Sequence, residues 1–171
     1  MGRLRGIALG LALTVSAGTA TGSLAVGDQL FELRSQTRAC YLGFIRLYDV
    51  EYFRAIAAHD APGRCVRVSY LRGFSAEALA EATNEVFRER HGDVVAQRFA
   101  RELSQVAQAY QPVDDGDRYT YCVVPESAGV LLRDGRSVVR VQSAEFAERF
   151  LQIWVRAEDE AARPLWAFGQ C

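Results

Sequence analysis

The chain has 171 residues, half of them hydrophobic, and its 20 basic and 21 acidic side chains leave a formal net charge of −1. This composition is typical of a globular protein and excludes an intrinsically disordered chain. All of the basic residues are arginine. A nearly neutral chain has no electrostatic footprint for DNA or RNA, so the sequence predicts no nucleic-acid partner.

The N-terminus has the features of a secretory signal peptide. Two arginines precede the uncharged run IALGLALTVSA, and small residues follow it. The apolar run is shorter than the roughly 20 residues of a transmembrane helix. We therefore expect a signal peptide, residues 1–25, cleaved after Ala20 or preferably after Ala25, and one mature domain, residues 26–171. This predicts a periplasmic or secreted protein with no integral membrane segment after signal removal; an uncleaved N-terminal anchor is the alternative.

The cysteines of the chain are candidates for disulfide bonds. They are Cys40, Cys65, Cys122 and Cys171. An even number of cysteines in an exported protein favours disulfides, and their spacing matches neither a zinc site nor a CxxC redox motif. Three pairings remain open, and buried free thiols are the alternative.

In the first half of the chain, the pattern predicts strands followed by a helix. Tyr41–Phe53 is rich in aromatic and β-branched residues and predicts one strand or two closely joined strands. Cys65–Leu71 alternates between apolar and polar residues, as in a half-buried strand. Ser75 can cap a helix that ends at Gly92. The apolar stripe of this helix consists of Leu79, Thr83, Val86 and Phe87.

In the second half, a helix, several strands and a last helix are predicted. Asp93 can cap the second helix, Tyr119–Val124 reads as a strand, and Asp134-Gly135 indicates a β-hairpin. Ser143 can cap a third helix, and a short C-terminal helix or turn carries Leu165, Trp166 and Phe168. The stripes of the second and third helices consist of Val95, Phe99, Leu103, Val106 and Tyr110, and of Phe146, Phe150, Ile153 and Trp154. Separate blocks of strands and helices predict an α+β fold with helices on one side of an antiparallel sheet.

Four stretches of the chain resemble the bacterial chalcone isomerase-like family, including its exported members. They are FIRLYDV at 44–50, VSYLRGFS at 68–75, GDRY at 116–119 and FAERFLQIW at 146–154. The order and spacing of these stretches match the family. The chain departs from it at Ala157, where the family has glycine. The resemblance implies an open-faced antiparallel β-sandwich with helices packed on one face and a ligand cleft between them.

The resemblance also indicates which site residues are retained. In plant members the cleft either cyclises chalcones or binds fatty acids, and cyclisation uses an Arg, a Thr and a Tyr. The position of that Thr is Tyr48 here, and no Tyr occupies the region of the catalytic Tyr, residues 77–79. The Arg corresponds to either Arg34 or Arg38. Because two of the polar roles are changed, the resemblance implies binding without chalcone cyclisation, and no catalytic residue is assigned.

The candidate ligand-binding residues are Arg38, Tyr48, Thr83 and Asn84. Arg38 can present a planar set of donors to a carboxylate or enolate, whereas a solvated strand edge is its alternative role. Tyr48 can equally be a core aromatic residue. Thr83 and Asn84 lie on the helix that lines the cleft in the family, where they either stabilise packing or contact a ligand.

We expect an exported protein that binds a small apolar or fatty-acid-like ligand between sheet and helices, without a cofactor or metal. A cleft filled by the protein's own side chains would count against this function. One alternative is an isomerase or lyase that acts through an enolate near Arg38, so that Arg38→Ala would abolish turnover. The other alternative is a structural or interaction module without a ligand pocket. The ligand's identity and the oligomeric state stay open.

Overall fold

The computed structural model describes residues 22–56, 63–124, 128–156, 158, 161–165 and 171. Within these ranges the chain forms strands and helices in the order ββββαααβββα, which confirms the α+β prediction. The strands are β1 (Ser23–Val26), β2 (Gln29–Tyr41), β3 (Ile45–Ala55), β4 (Arg64–Tyr70), β5 (Arg118–Val124), β6 (Ala128–Arg133) and β7 (Arg136–Val141). The helices are α1 (Ala76–His91), α2 (Asp93–Arg98), α3 (Ala100–Ala109) and α4 (Ala144–Gln152).

The strands form one curled antiparallel sheet in which each strand pairs with the next along the chain. Helix α4 packs against β5, β6 and β7, and α3 packs against β7. The main hydrophobic core lies between the sheet and this helix layer. The predicted antiparallel sheet with helices on one face is therefore confirmed.

A second, smaller core lies on the opposite face of the sheet. Phe31 from β2 and Phe53 from β3 pack there against Cys65 and Cys122. These cysteines face each other across β4 and β5 and form a disulfide. The other disulfide joins Cys40, near the end of β2, to Cys171. The sequence predicted disulfides without their pairing, and the structure supplies it.

The predicted strand region Tyr41–Phe53 contains a hairpin turn. Strand β2 ends at Tyr41, and β3 begins at Ile45 after a turn in which Leu42 and Gly43 both have positive φ. The rest of β2 and all of β1 were missing from the sequence prediction. Irregular register at two points of β2 interrupts the alternation of side chains that would have indicated a strand.

The helix caps agree with the sequence at Ser75 and Ser143 and disagree at Asp93. Ser75 Oγ accepts a hydrogen bond from Ala78 N at 3.2 Å, as expected for the N-cap of α1. The prediction that Asp93 caps the second helix was wrong, because Gly92 occupies the N-cap and Asp93 is already helical. The single helix predicted after it is divided at Phe99 into α2 and α3.

The N-terminal 21 residues and residues 166–170 lie outside the described part of the chain. The predicted signal peptide lies mostly outside them, although Ser23–Val26 form β1. Cleavage after Ala25 would remove most of β1, whereas cleavage after Ala20 would leave it whole. Of the predicted C-terminal helix or turn, only Leu165 is described. None of the helices in the described ranges combines the length and the apolar composition needed to cross a bilayer.

Candidate functional site

Five of the six buried tyrosines in the main core, all except Tyr52, lie together between the sheet and the helices, and we call these five the tyrosine cluster. They are Tyr48 on β3, Tyr70 on β4, Tyr119 and Tyr121 on β5, and Tyr110 at the end of α3. Residues at alternate positions of a strand share one face, so Tyr119 and Tyr121 both point toward the helices. Ring centroids lie 6.2 Å apart for Tyr48 and Tyr70, and 5.2 Å apart for Tyr110 and Tyr119.

Four tyrosines of the cluster, all except Tyr48, line a small void in the main core. Its lining residues are Val66, Val68, Tyr70, Tyr110, Tyr119, Tyr121, Leu131, Phe150 and Trp154. The cavity volume is about 10 Å³, which is at the lower limit for one water molecule. Among the described residues, the protein's own side chains therefore fill this part of the space between sheet and helices. The described residues thus show no open cleft at this place, and a filled cleft is the outcome that counts against the expected binding function.

Two hydroxyl groups of the cluster form hydrogen bonds near the end of α3. Thr83 Oγ1 on α1 lies 3.0 Å from Tyr110 Oη, and either oxygen can donate. Gln111 N donates to Tyr119 Oη at 2.9 Å. Both bonds lie at the end of α3, so the tyrosine hydroxyls connect the sheet with the helix layer.

The hydroxyl of Tyr121 has no such partner. It is buried and forms no hydrogen bond within the described part of the molecule. A Cβ atom at Gly129 would collide with this oxygen and with Val141, so glycine at this position of β6 leaves room for the phenol. A buried hydroxyl without a partner is unfavourable by about 1–3 kcal/mol. An unpaired hydroxyl at the void therefore calls for an explanation, such as a hydrogen-bond acceptor supplied by a ligand.

The tyrosines of the cluster can donate hydrogen bonds to a ligand but are poorly suited to remove a proton from it. Burial raises the pKa of Tyr110 to about 12. Burial also raises the pKa of Tyr70 and of Tyr121 above the ordinary value of 10, and neighbouring tyrosines add to the rise at Tyr70. At neutral pH these phenols therefore remain protonated, and they can donate hydrogen bonds to a carbonyl or carboxylate oxygen.

Arg38 lies on the face of the sheet that points away from the helices. Its Nε and Nη2 atoms donate to Asp49 Oδ1 and Oδ2 at 2.5 and 2.8 Å. Tyr48, next to Asp49 on β3, points into the main core. The sheet therefore separates Arg38 from the tyrosine cluster. The alternative arginine, Arg34, lies at an irregularity of β2 and forms an ion pair with Glu32 at 2.9 Å.

Arg38 instead borders an open polar groove of about 590 Å³ on the outer face of the sheet. The groove is lined by Gln36, Thr37, Arg38, Asp49, Glu51 and Ser69. Asn84 borders a different groove, about 540 Å³ in volume, between α1 and the α2–α3 segment. Of the four candidates from the sequence, Tyr48 and Thr83 thus belong to the sheet–helix interface, and Arg38 and Asn84 lie elsewhere.

Two basic residues that were not among the candidates from the sequence lie at one end of this interface. Arg90, in the last turn of α1, donates to the carbonyl oxygens of Gln152, Pro164 and Leu165 at 3.3–3.5 Å. Arg163 also donates to the Gln152 carbonyl. Leu165 N in turn donates to Tyr48 Oη at 3.2 Å. A basic last helical turn was visible in the sequence, but its neighbours come from segments far apart in the chain.

Comparison with known proteins identifies the family. Residues 50–162 match the family model described as chalcone isomerase-like. The match spans more than half of the chain, which therefore belongs to the chalcone isomerase-like family. Comparison with curated proteins gives no match.

Structural comparison agrees with this assignment. The crystal structure of a fatty-acid binding protein from Arabidopsis thaliana has a TM-score of 0.58 and 12% sequence identity to this chain. The alignment covers 78% of this chain and 83% of that chain. At this identity the likeness shows a common fold, and the fold and family expected from the sequence are confirmed.

Proposed function

We propose that this protein binds a small, mainly apolar ligand, such as a fatty acid, between the sheet and the helix layer without converting it chemically. The observation that carries the proposal is the unpaired Tyr121 hydroxyl at a void lined by tyrosines. A ligand oxygen placed in this space would give the hydroxyl a hydrogen-bond acceptor, while its carbon atoms would contact the surrounding apolar side chains.

The chemistry of the lining supports binding over catalysis. The only ionisable side chains among the described lining residues are tyrosines, and burial keeps the pKa of Tyr70, Tyr110 and Tyr121 above its ordinary value. A protonated phenol is a poor general base at neutral pH. The fatty-acid binding protein of similar fold supports an acyl chain as the ligand class.

The closed void requires that binding be accompanied by a conformational change. Sites for small organic ligands have volumes of roughly 300 Å³ or more, whereas this void holds about 10 Å³. The ligand must therefore displace core side chains such as Phe150 and Trp154, or move α4 away from the sheet. We expect slow association whose rate approaches a limit at high ligand concentration, because opening precedes binding.

Fluorescence of Trp154 tests the proposal directly, because its side chain lines the void. The chain has two tryptophans, so a Trp166→Phe background leaves Trp154 as the reporter. Titration with dodecanoate should give a saturable change. In this background Tyr121→Phe should weaken binding about fivefold to tenfold, the effect of one buried hydrogen bond. Tyr41→Phe, at the exposed hairpin turn, is the matched control and should leave the affinity unchanged.

The absence of any saturable signal, together with no dodecanoate bound at equilibrium dialysis, would contradict the proposal. The filled void would then favour the second candidate, a structural or interaction module. That candidate predicts that a partner protein, and no small molecule, raises the stability of the chain.

We also propose that the protein acts in the periplasm or outside the cell. Two disulfides support an oxidising compartment. The signal-peptide features of the N-terminus support export. N-terminal sequencing of the protein from an exporting host should show removal of the leader after Ala20 or Ala25. An intact Met1 in protein recovered from the cytoplasm, with reduced cysteines, would contradict this location.

A further inference from the structure

We infer that Arg90 and Arg163, the arginine pair, form a binding site for the carboxylate head of the ligand. The inference rests on the proposed function and adds to it the chemical class of the ligand's polar end. Neither the sequence motifs nor the family match assigns a role to these two residues.

The arginine pair brings two positive charges to one oxygen atom. Both guanidinium groups donate to the backbone carbonyl of Gln152, the last residue of α4. Among the described residues neither side chain forms an ion pair with a carboxylate, in contrast to Arg38 and Arg67 on the outer face of the sheet. Against the lowering effect of burial, Glu89 raises the pKa of Arg90 and Glu158 raises that of Arg163, so these carboxylates act on the pair without forming an ion pair with it. Two adjacent cations whose hydrogen bonds go to neutral carbonyl oxygens form a site that favours a further anion.

The hydrogen bonds of the arginine pair are also incomplete. Those from Arg90 to Pro164 and Leu165 are both 3.3 Å long, whereas charge-assisted N–H···O bonds are usually about 2.7–2.9 Å. The Nε atom of Arg163 is buried and has no acceptor within the described residues. Burial, with repulsion from Arg163, lowers the pKa of Arg90 to about 10. A bound carboxylate would accept a hydrogen bond from Arg163 Nε and would raise the pKa of Arg90.

The position of the arginine pair fits an amphipathic ligand. Leu165 N donates to Tyr48 Oη, and the Tyr48 ring contacts Trp154 at a centroid distance of 6.2 Å. Trp154 lines the void, so the arginine pair lies at the end of the tyrosine cluster. A ligand with its carbon chain in the opened void could reach Arg90 with its carboxylate. The carbonyl oxygens of 164 and 165 now occupy that place and would be displaced.

A purely structural role of Arg90 makes a different prediction. A cation beside the last carbonyl of α4 stabilises the helix C-terminus in any case. In that role, Arg90→Gln would lower stability but would change the affinities for charged and neutral ligands equally. The two roles are therefore separated by comparing ligands that differ only in the head group.

The test is a titration of the full mature chain with dodecanoate and with dodecanol. Binding is monitored by the fluorescence of Trp154 in the Trp166→Phe background. Wild-type protein should bind dodecanoate more tightly than dodecanol. Arg90→Gln and Arg163→Gln should each weaken dodecanoate binding about tenfold and leave dodecanol binding unchanged. Arg38→Gln, on the outer face, is the matched control and should change neither affinity.

Each outcome separates this inference from the proposed function. If dodecanol and dodecanoate bind equally well and the arginine variants keep that ratio, the carboxylate site is refuted and the ligand cleft stands. If wild-type protein binds neither compound, both are refuted. Arg163→Gln loses fewer hydrogen bonds than Arg90→Gln. If Arg90→Gln fails to fold, the result for Arg163→Gln tests the carboxylate site. Butyrate, whose chain is too short to fill the opened void, should compete with dodecanoate for the arginine pair, and this competition should be lost in the same variants.

Discussion

Thr83 Oγ1 lies 3.0 Å from Tyr110 Oη, and this buried hydrogen bond joins α1 to the end of α3. Thr83→Val should lower the free energy of unfolding by about 1–2 kcal/mol, because it leaves the Tyr110 hydroxyl without a partner. A double-mutant cycle with Tyr110→Phe, measured by urea unfolding, should give a coupling energy of about 1 kcal/mol. Additive effects of the two substitutions would show that the hydroxyls do not interact.

Tyr121 should behave in the opposite way from Tyr110. Its hydroxyl is buried and has no partner among the described residues, so Tyr121→Phe should raise the free energy of unfolding by about 1 kcal/mol in ligand-free protein. Urea unfolding measures this change, with Tyr110→Phe as the destabilised comparison. A loss of stability in Tyr121→Phe would show that the hydroxyl has an acceptor in solution.

The disulfide between Cys65 and Cys122 should be a main source of stability. It closes a segment with a sequence separation of 57 in the smaller core. The loss of chain entropy in the unfolded state then predicts that Cys65→Ala/Cys122→Ala lowers the free energy of unfolding by about 4 kcal/mol. Denaturant unfolding tests this value, with circular dichroism to confirm that the variant folds. A change below about 1 kcal/mol would contradict the paired state.

His91 should make the stability of the protein depend on pH. Burial lowers the pKa of His91 below its ordinary value of 6.5, and its Nε2 atom lies 2.9 Å from the Arg149 carbonyl oxygen. The unfolded chain therefore takes up a proton at higher pH than the folded chain does. The stabilisation from neutral His91 is complete above about pH 6.5 and is lost as the pH falls from there to the lower folded pKa.

The measurement is unfolding by urea between pH 8 and pH 5 for wild-type protein and His91→Gln. The variant should lose the part of the pH dependence that begins near the ordinary histidine pKa of 6.5. Identical pH profiles of wild-type protein and His91→Gln would refute the buried neutral imidazole.

Local signals in the sequence predicted the elements that depend on short-range chemistry. Ser75 and Ser143 begin α1 and α4, and the Asp134-Gly135 turn joins β6 to β7 through two residues with positive φ. Strand β2 was mostly missed because its bulges break the alternation of side chains. The break at Phe99 was also missed, since the apolar stripe continues from Val95 to Leu103 through both short helices.

The candidate site depended on contacts between distant segments, which sequence patterns do not reveal. Tyr48 was proposed from the family resemblance and Thr83 from the apolar stripe of its helix; both lie between sheet and helices, and their contact with a ligand stays a prediction. Arg38 was placed in the cleft by resemblance, yet it lies on the outer face because its neighbour Ala39 points inward. Arg90 and Arg163 are 73 positions apart in the sequence and meet only at the Gln152 carbonyl.

Native mass spectrometry of the protein from an exporting host tests the central claim, that the space between sheet and helices holds a small ligand. We predict bound species with the masses of long-chain carboxylic acids, which are identified after organic extraction and are reduced in the Arg90→Gln variant. Protein that carries no ligand, and still binds none after incubation with a series of fatty acids, would contradict the account.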